Sequence, residues 1–370
     1  MRVLHVAAGN LFGGIERMLL TLVDASRQAE SGGHEVAVAF DGRFARELRD
    51  AGSSPWVLGD ARFSRPDTVW RARRALRRAL AQQRYDAVIA HAPWSTALAA
   101  PAVRRANLPL FSWIHDAPHP DQWPERRVAR MRPDRFICNS RYTVGLVARW
   151  MPGIATDVIH PPVAASAPST DRAGVRREFG EPDDAVVVLM AARMEPWKGH
   201  RVLLDAAQHL RGNVAIWIAG AAQRPHEAAF VDELSRAAVA PRNGVRVRLL
   251  GERADVPRLM HGADVYCQPN TSPEPFGVVF VEALAAGVPV VTVAAGGALE
   301  IVDDTCGILV PRATAEDVAG ALQRLIDDPA HRRALGQRGP ARARRISDPS
   351  LALQRIEQVL NEHRTRVPAA

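Results

Sequence analysis

Apolar positions along the chain fall into two successive rounds of one alternation. Short β-branched-rich runs at 2–7 (RVLHVA), 34–40 (HEVAVAF), 85–90 (YDAVIA), 109–114 (PLFSWI) and 134–138 (DRFIC) predict strands. Helical patterns such as IERMLLTLVDASRQAE and STALAAPAVRRA separate them. The alternation stops at HPPVAASAPSTDRAG (160–174), which reads as a domain linker. It restarts with strands at 185–192, 214–219, 245–250, 264–269 and 288–293, and with helices at 200–211, 226–239, 255–262 and 278–286. Helical patterns at 314–326, 330–344 and 349–364 close the chain. The expected architecture is α/β: two doubly wound, Rossmann-like domains, 1–163 and 164–348, with parallel sheets covered on both faces. Ligands of such sheets bind outside the carboxyl ends of the strands, so two facing domains would enclose a deep interdomain cleft.

Composition narrows the class. At 370 residues, 47% hydrophobic and 24% charged, the chain suits a soluble protein of two domains. MRVLHVAAGN reads as a first strand rather than a signal peptide, so a cytoplasmic protein is expected. Cys138, Cys267 and Cys306 are odd in number and far apart, which speaks against a disulfide framework or a zinc site. The formal charge is +8, with arginines gathered at 71–80 (RARRALRRAL) and 123–136 (WPERRVARMRPDRF). On a helical wheel Trp70, Leu76 and Leu80 face a core while those arginines fan outward. A solvated arginine face is the preferred reading; peripheral contact with an anionic membrane stays open, and no nucleic-acid module accompanies the clusters.

Candidate chemistry sits at strand ends. AAGNLFGGIE places Asn10, Gly13, Gly14 and Glu16 in a glycine-rich turn before a helix, suited to an anion or a sugar hydroxyl, though not with the dinucleotide spacing. FSWIHDAPHP puts His115 and Asp116 at the end of a first-half strand, where His115 could orient or deprotonate a hydroxyl or hold a sugar. In MEPWKGHRVLL, Lys198 is the single lysine beside an otherwise all-arginine set of cations. A lysine opening a helix works against the dipole, so an anion should hold it there; with Arg193 five residues earlier it suits a diphosphate. NTSPEPFGVVFVEALAAGVPVV brings Glu274, Phe276, Gly277 and Val278 to a helix start and Glu282 onto that apolar helix, where a carboxylate needs a partner or a ligand hydroxyl.

Taken in order, GGIE (13–16), HD (115–116), CNS (138–140), RMEPWKG (193–199) and PEPFGVVFVEALAAGVPVV (273–291), with its E-x7-E from Glu274 to Glu282, resemble the GT-B-fold retaining glycosyltransferases of family GT4 over essentially the whole chain. The resemblance implies transfer of a hexose-type sugar from a nucleoside-diphosphate donor, UDP first and GDP next, to a hydroxyl of a sugar, glycoconjugate or lipid-linked acceptor. It implies that Arg193 and Lys198 bind the diphosphate and that Glu274, with the amides of Phe276, Gly277 and Val278, contacts the transferred sugar. Glu282 would then hold the ribose, His115 would sit beside the reacting sugar, and Gly13–Gly14 would border donor and acceptor. Asn10, Glu16 and Asp116 are the acceptor-side candidates, and the helix at 349–364 would cross back onto the first domain.

No D-x-D triplet occurs, so no metal and no cofactor is expected, and the two cations would supply the positive charge. Retention by front-face attack would need no enzyme nucleophile. Three alternatives stay open: a nucleotide-sugar 2-epimerase on the same architecture, a non-catalytic sugar-nucleotide-binding protein, and a dehydrogenase, the last disfavoured by the glycine spacing.

Overall fold

The computed structural model describes residues 1–29, 33–164, 171–222, 227–238 and 244–366. The chain divides into one unit formed by Met1–Ala164 with Ser347–Ala370 and a second formed by Ala165–Ile346. Much of the expected linker, 165–170, lies outside the described residues.

The first unit carries seven parallel strands: β1 (Val3–Ala7), β2 (His34–Val38), β3 (Trp56–Val57), β4 (Ala87–His91), β5 (Leu110–Ile114), β6 (Arg135–Cys138) and β7 (Thr156–Val158). Its helices are α1 (Gly14–Gln28), α2 (Arg43–Asp50), α3 (Pro66–Gln82), α4 (Ala92–Arg105), α5 (Trp123–Met131) and α6 (Arg141–Trp150). The strand order is β3-β2-β1-β4-β5-β6-β7, so the sheet runs outward in both directions from the β1–β4 junction. Near-continuous apolar strands are what a sheet covered on both faces requires. One face packs against α1 and α2, the other against α3 and α4.

The second unit repeats the plan. It contains α7 (Arg172–Glu178), β8 (Val186–Ala191), α8 (His200–Ala207), β9 (Val214–Ala219), α9 (Ala228–Ala238), β10 (Arg246–Gly251) and α10 (Val256–Gly262). There follow β11 (Val265–Gln268), α11 (Val278–Ala285), β12 (Val290–Val293), α12 (Ala298–Ile301), β13 (Gly307–Val310), α13 (Ala315–Asp327) and α14 (Pro329–Ser347). The order β10-β9-β8-β11-β12-β13 has its switch point between β8 and β11. The last helix, α15 (Pro349–Arg366), belongs to the first unit and packs beside α1.

Three short strands escape the sequence pattern: β13, and β3 and β7, whose two and three residues hold too few positions to show a period. Two expectations need correction. Trp70 is exposed, because the buried stripe of α3 runs through Val69, Ala72, Leu76 and Ala79 and Trp70 lies one position off it. The helix read from STALAAPAVRRA starts earlier than that pattern, because α4 already begins at Ala92. Among the described residues no helix is long and apolar enough to cross a membrane.

Candidate active site

In the second unit the polar cluster lies at the switch point, where the chain leaves β8 and β11 side by side. After β8 the backbone turns through a single 3-10 turn, Pro196–Lys198, and then Gly199 at φ +85° opens α8. A Cβ at Gly199 would stand 2.0 Å from the Pro269 carbonyl oxygen, so glycine is what lets this turn lie flat on the segment leaving β11. The Thr271 amide donates to the Trp197 carbonyl at 2.8 Å and fixes the contact.

Lys198 therefore closes a turn instead of opening a helix, and its anion in this structure is Glu274: Nζ donates to Oε2 at 2.8 Å, with both side chains nearly buried. Its ammonium also stands 3.8 Å above the Trp197 ring. Asn270 Nδ2 and Gln268 Nε2 donate to the same Oε2 at 2.8 and 3.2 Å. The Tyr266 hydroxyl donates to Gln268 Oε1 at 2.8 Å, and burial, with Glu274 and Glu282 adding, pushes its phenol up. Arg193 is exposed and pairs with Glu195 at 2.9 Å, while Glu195 also accepts from Trp197 Nε1.

Glu274 is held from behind as well. The Gly297 amide donates to its carbonyl at 2.7 Å. Cβ atoms at Gly296 and Gly297 would come within 2.2 Å of the Glu274 oxygen and 2.5 Å of the Phe276 Cα. The AAGG turn after β12 is thus shaped by close approach to the Glu274 backbone. Phe276 is buried, Gly277 takes φ +101° and caps α11 ahead of Val278, and Glu282 lies half-buried on that helix.

Sequence reasoning passed over Tyr266, Gln268 and Asn270. Their spacing of two along and just beyond β11 was the available signal, since alternate residues of a strand share a face.

In the first unit His115 follows β5. Its ring stacks on Trp113 and His91, and its Nε2 lies 3.0 Å from His91 Nδ1. Burial lowers its pKa to about 3, so the ring is neutral near pH 7. A neutral ring can hydrogen-bond a hydroxyl or a sugar, as the orienting and holding roles expected for it require. Asn139 of the CNS motif donates to the His115 carbonyl at 2.7 Å, and Ser140 caps α6. The motif thus shapes the loop that carries His115.

Glu16 is buried and accepts the Gly13 amide at 2.9 Å, which gives it a helix-capping task beside Gly14. Asn10 and Asp116 are exposed. Trp113 is fully buried; Phe63 packs between Trp94 and Trp123, with ring centroids 5.5 and 4.4 Å away. A groove of about 850 Å³ beside α3 is lined by Arg62, Arg65, Arg71, Arg74 and Arg78, with Trp70 at its wall.

Residues 171–342 match the family described as glycosyl transferases group 1, and residues 12–166 match glycosyltransferase family 4. The chain belongs to glycosyltransferase family 4. Both matched regions coincide with the two Rossmann-like units of its GT-B fold.

Among family members, the D-inositol 3-phosphate glycosyltransferase of Xylanimonas cellulosilytica is 40% identical over 202 residues, 52% of this chain and 46% of that protein. The chain thus spans about half the length of the first curated relatives it matches. The phosphatidyl-myo-inositol mannosyltransferase of Mycolicibacterium smegmatis is 28% identical over 85% of this chain and 82% of its own. Anabaena Alr3699/HepE, solved in complex with UDP-glucose, is 26% identical over 98% of this chain and 100% of that one, with a TM-score of 0.84.

Proposed function

We propose that the chain is a retaining, metal-independent glycosyltransferase that moves a hexose from a nucleoside-diphosphate sugar to a hydroxyl acceptor. The observation that carries this is the Lys198–Glu274 pair at the switch point of the second sheet, with Gly199, Gly296 and Gly297 shaped to hold it. Lys198 is anchored by the Trp197 face and by Glu274, so an ammonium stands ready for a phosphate oxygen with little reorganisation to undergo. Arg193 adds a planar fork for the same diphosphate.

Glu274, set by three donors on one oxygen, contacts the transferred sugar; the amides at the start of α11 face sugar or phosphate, and Glu282 holds the ribose. The two cations supply the positive charge that a D-x-D-bound metal would otherwise supply, and the departing phosphate takes the acceptor's proton. His115, neutral, hydrogen-bonds the reacting sugar. UDP is the first choice of donor, on the strength of the UDP-glucose complex of HepE, and GDP the next. The acceptor lies on the first unit, bordered by Asn10, Gly13–Gly14, Glu16 and Asp116, and the arginine-lined groove suits an acidic or lipid-phosphate acceptor.

The test is thermal stability against UDP, GDP, ADP, their hexose conjugates and NAD, for wild type and Lys198→Ala. At a hundredfold excess over Kd the true donor should add about 2.7 kcal/mol. Lys198→Ala should lose most of that and lower kcat/KM about a hundredfold or more. A wild type that responds to none of them, or best to NAD, overturns the reading. Full activity in EDTA and a product with the donor's anomeric configuration are expected; the opposite results remove metal independence and retention. Equal rates on neutral and anionic acceptors remove the anionic-acceptor assignment.

A further inference from the structure

Four histidines form a diagonal staircase across the first sheet. In the strand register His34 lies opposite Val3, His5 opposite Ile89, and His91 opposite Trp113. Two residues beyond each of those partners stands the next histidine: His5, then His91, then His115. Because alternate residues share a face, each step of one strand across and two residues along brings the next ring onto the same side of the sheet.

The rings meet nitrogen to nitrogen. His34 Nδ1 lies 2.9 Å from His5 Nε2, His5 Nδ1 lies 2.9 Å from His91 Nε2, and His91 Nδ1 lies 3.0 Å from His115 Nε2. All four are buried. Burial keeps them neutral: it takes His5 and His91 well below the usual histidine range, His34 to about 4 and His115 to about 3.

Four neutral imidazoles hold four N–H protons, and three links need one each. Every link joins a δ nitrogen to an ε nitrogen. Only two arrangements therefore satisfy all three: every ring protonated at Nε2, or every ring protonated at Nδ1. Any mixture sets two lone pairs or two N–H groups face to face in a buried place, which is costly.

We infer that His34, His5 and His91 are positioning residues that hold His115 in one neutral tautomer, all four rings carrying the proton on the same nitrogen. Nε2 of His115 is spent on His91, and Nδ1 is the ring nitrogen it offers to a ligand. In the all-Nε2–H arrangement that nitrogen is an acceptor; in the all-Nδ1–H arrangement it is a donor. Passing from the first to the second takes up one proton at His115 Nδ1, shifts one across each link and releases one at His34 Nε2, so the chain ends as neutral as it began. The consequence for transfer rests on the proposed place of His115 beside the donor sugar; the tautomer chain itself does not.

Two-bond proton–nitrogen correlation spectra of the full chain labelled with 15N-histidine, assigned through backbone resonances, test this directly. At pH 7.5 His34, His5, His91 and His115 should all be neutral and share one tautomer. Differing tautomers among the four, or an imidazolium, overturn the inference. In His5→Phe the staircase is cut, and the His115 ring signals should move to a two-tautomer average; an unchanged His115 spectrum in a folded variant also overturns it. If His5→Phe does not fold, the wild-type pattern alone decides. Saturation with UDP-glucose then separates the two readings. A uniform chain whose His115 Nδ1 signal ignores the donor keeps the staircase and removes the proposed role of His115 at the sugar.

Discussion

At Gly199 a positive φ and a near-contact with the Pro269 carbonyl coincide, and the position of Lys198 depends on both. A side chain there faces two penalties, the left-handed backbone and a Cβ only 2.0 Å from a backbone oxygen that has no flexible end to give way. Gly199→Ala is expected to cost about 1–3 kcal/mol for the backbone conformation alone, and more with the clash. It should also draw Lys198 off Glu274, so donor stabilisation should fall further than the loss of fold explains. Urea unfolding with and without UDP-glucose checks this; an unchanged midpoint would mean the turn can lift away from β11 freely. Lys198 shows what residue-level reading reached and missed. A lone lysine that must hold an anion was legible in the sequence. That the anion in this structure is Glu274, 76 residues on, was not, because the pair forms only when β8 and β11 lie adjacent.

The element with most to say about long-range assembly is α15. Its Ile356, Val359 and Leu360 are buried in the same core as Met18, Leu19 and Leu22 of α1, although more than 300 residues separate them in sequence. Charges flank the contact: Arg355 reaches Asp157 at 3.3 Å, and Asp157 also pairs with the buried Arg135 at 2.6 Å. Removing atoms from that core leaves a cavity as well as lost burial. Ile356→Ala should therefore destabilise the first unit by about 2–5 kcal/mol. Tryptophan fluorescence and amide exchange should place that loss in strands β1, β2 and β4 and leave β8–β13 protected. Equal loss in both units would overturn the assignment of α15. The apolar pattern at 349–364 foretold a helix. The family resemblance implied its return to the first domain; the residues it meets there are set by the core it completes.

Across the whole molecule the buried histidines are expected to lead the response to mild acid. In the unfolded chain each has a pKa of about 6.5. In the folded chain burial takes His34 and His200 to about 4, His115 to about 3, and His5 and His91 lower than the ordinary range. Between these values the unfolded state binds more protons, so stability is complete above about pH 6.5 and falls as the pH drops toward 4. Each histidine contributes a slope of about 1.4 kcal/mol per pH unit in that window. Four of the five lie in the first unit and one in the second. Urea titrations at pH 7.5, 6.0 and 5.0 should show the first unit's transition retreating well ahead of the second's. Parallel retreat would mean that carboxylates, not this staircase, dominate the acid response.

The sequence by itself determined the local matters: where the longer strands and the helical segments fall, that two rounds of the α/β alternation follow one another, and which candidate site residues stand near strand ends. Those follow from period, turn chemistry and residue type within a few positions of one another. It also carried the family through ordered motifs, from Gly13–Gly14 to the spacing of Glu274 and Glu282. Only the tertiary structure decided which residues meet. Strand order placed Lys198 beside Glu274, register stepped His34, His5, His91 and His115 into one line, and a shared core set which side chains of α15 meet α1. Pairings of that kind depend on which strands become neighbours and in what register, a choice the whole chain makes when it buries its apolar faces and that no window of adjacent residues contains.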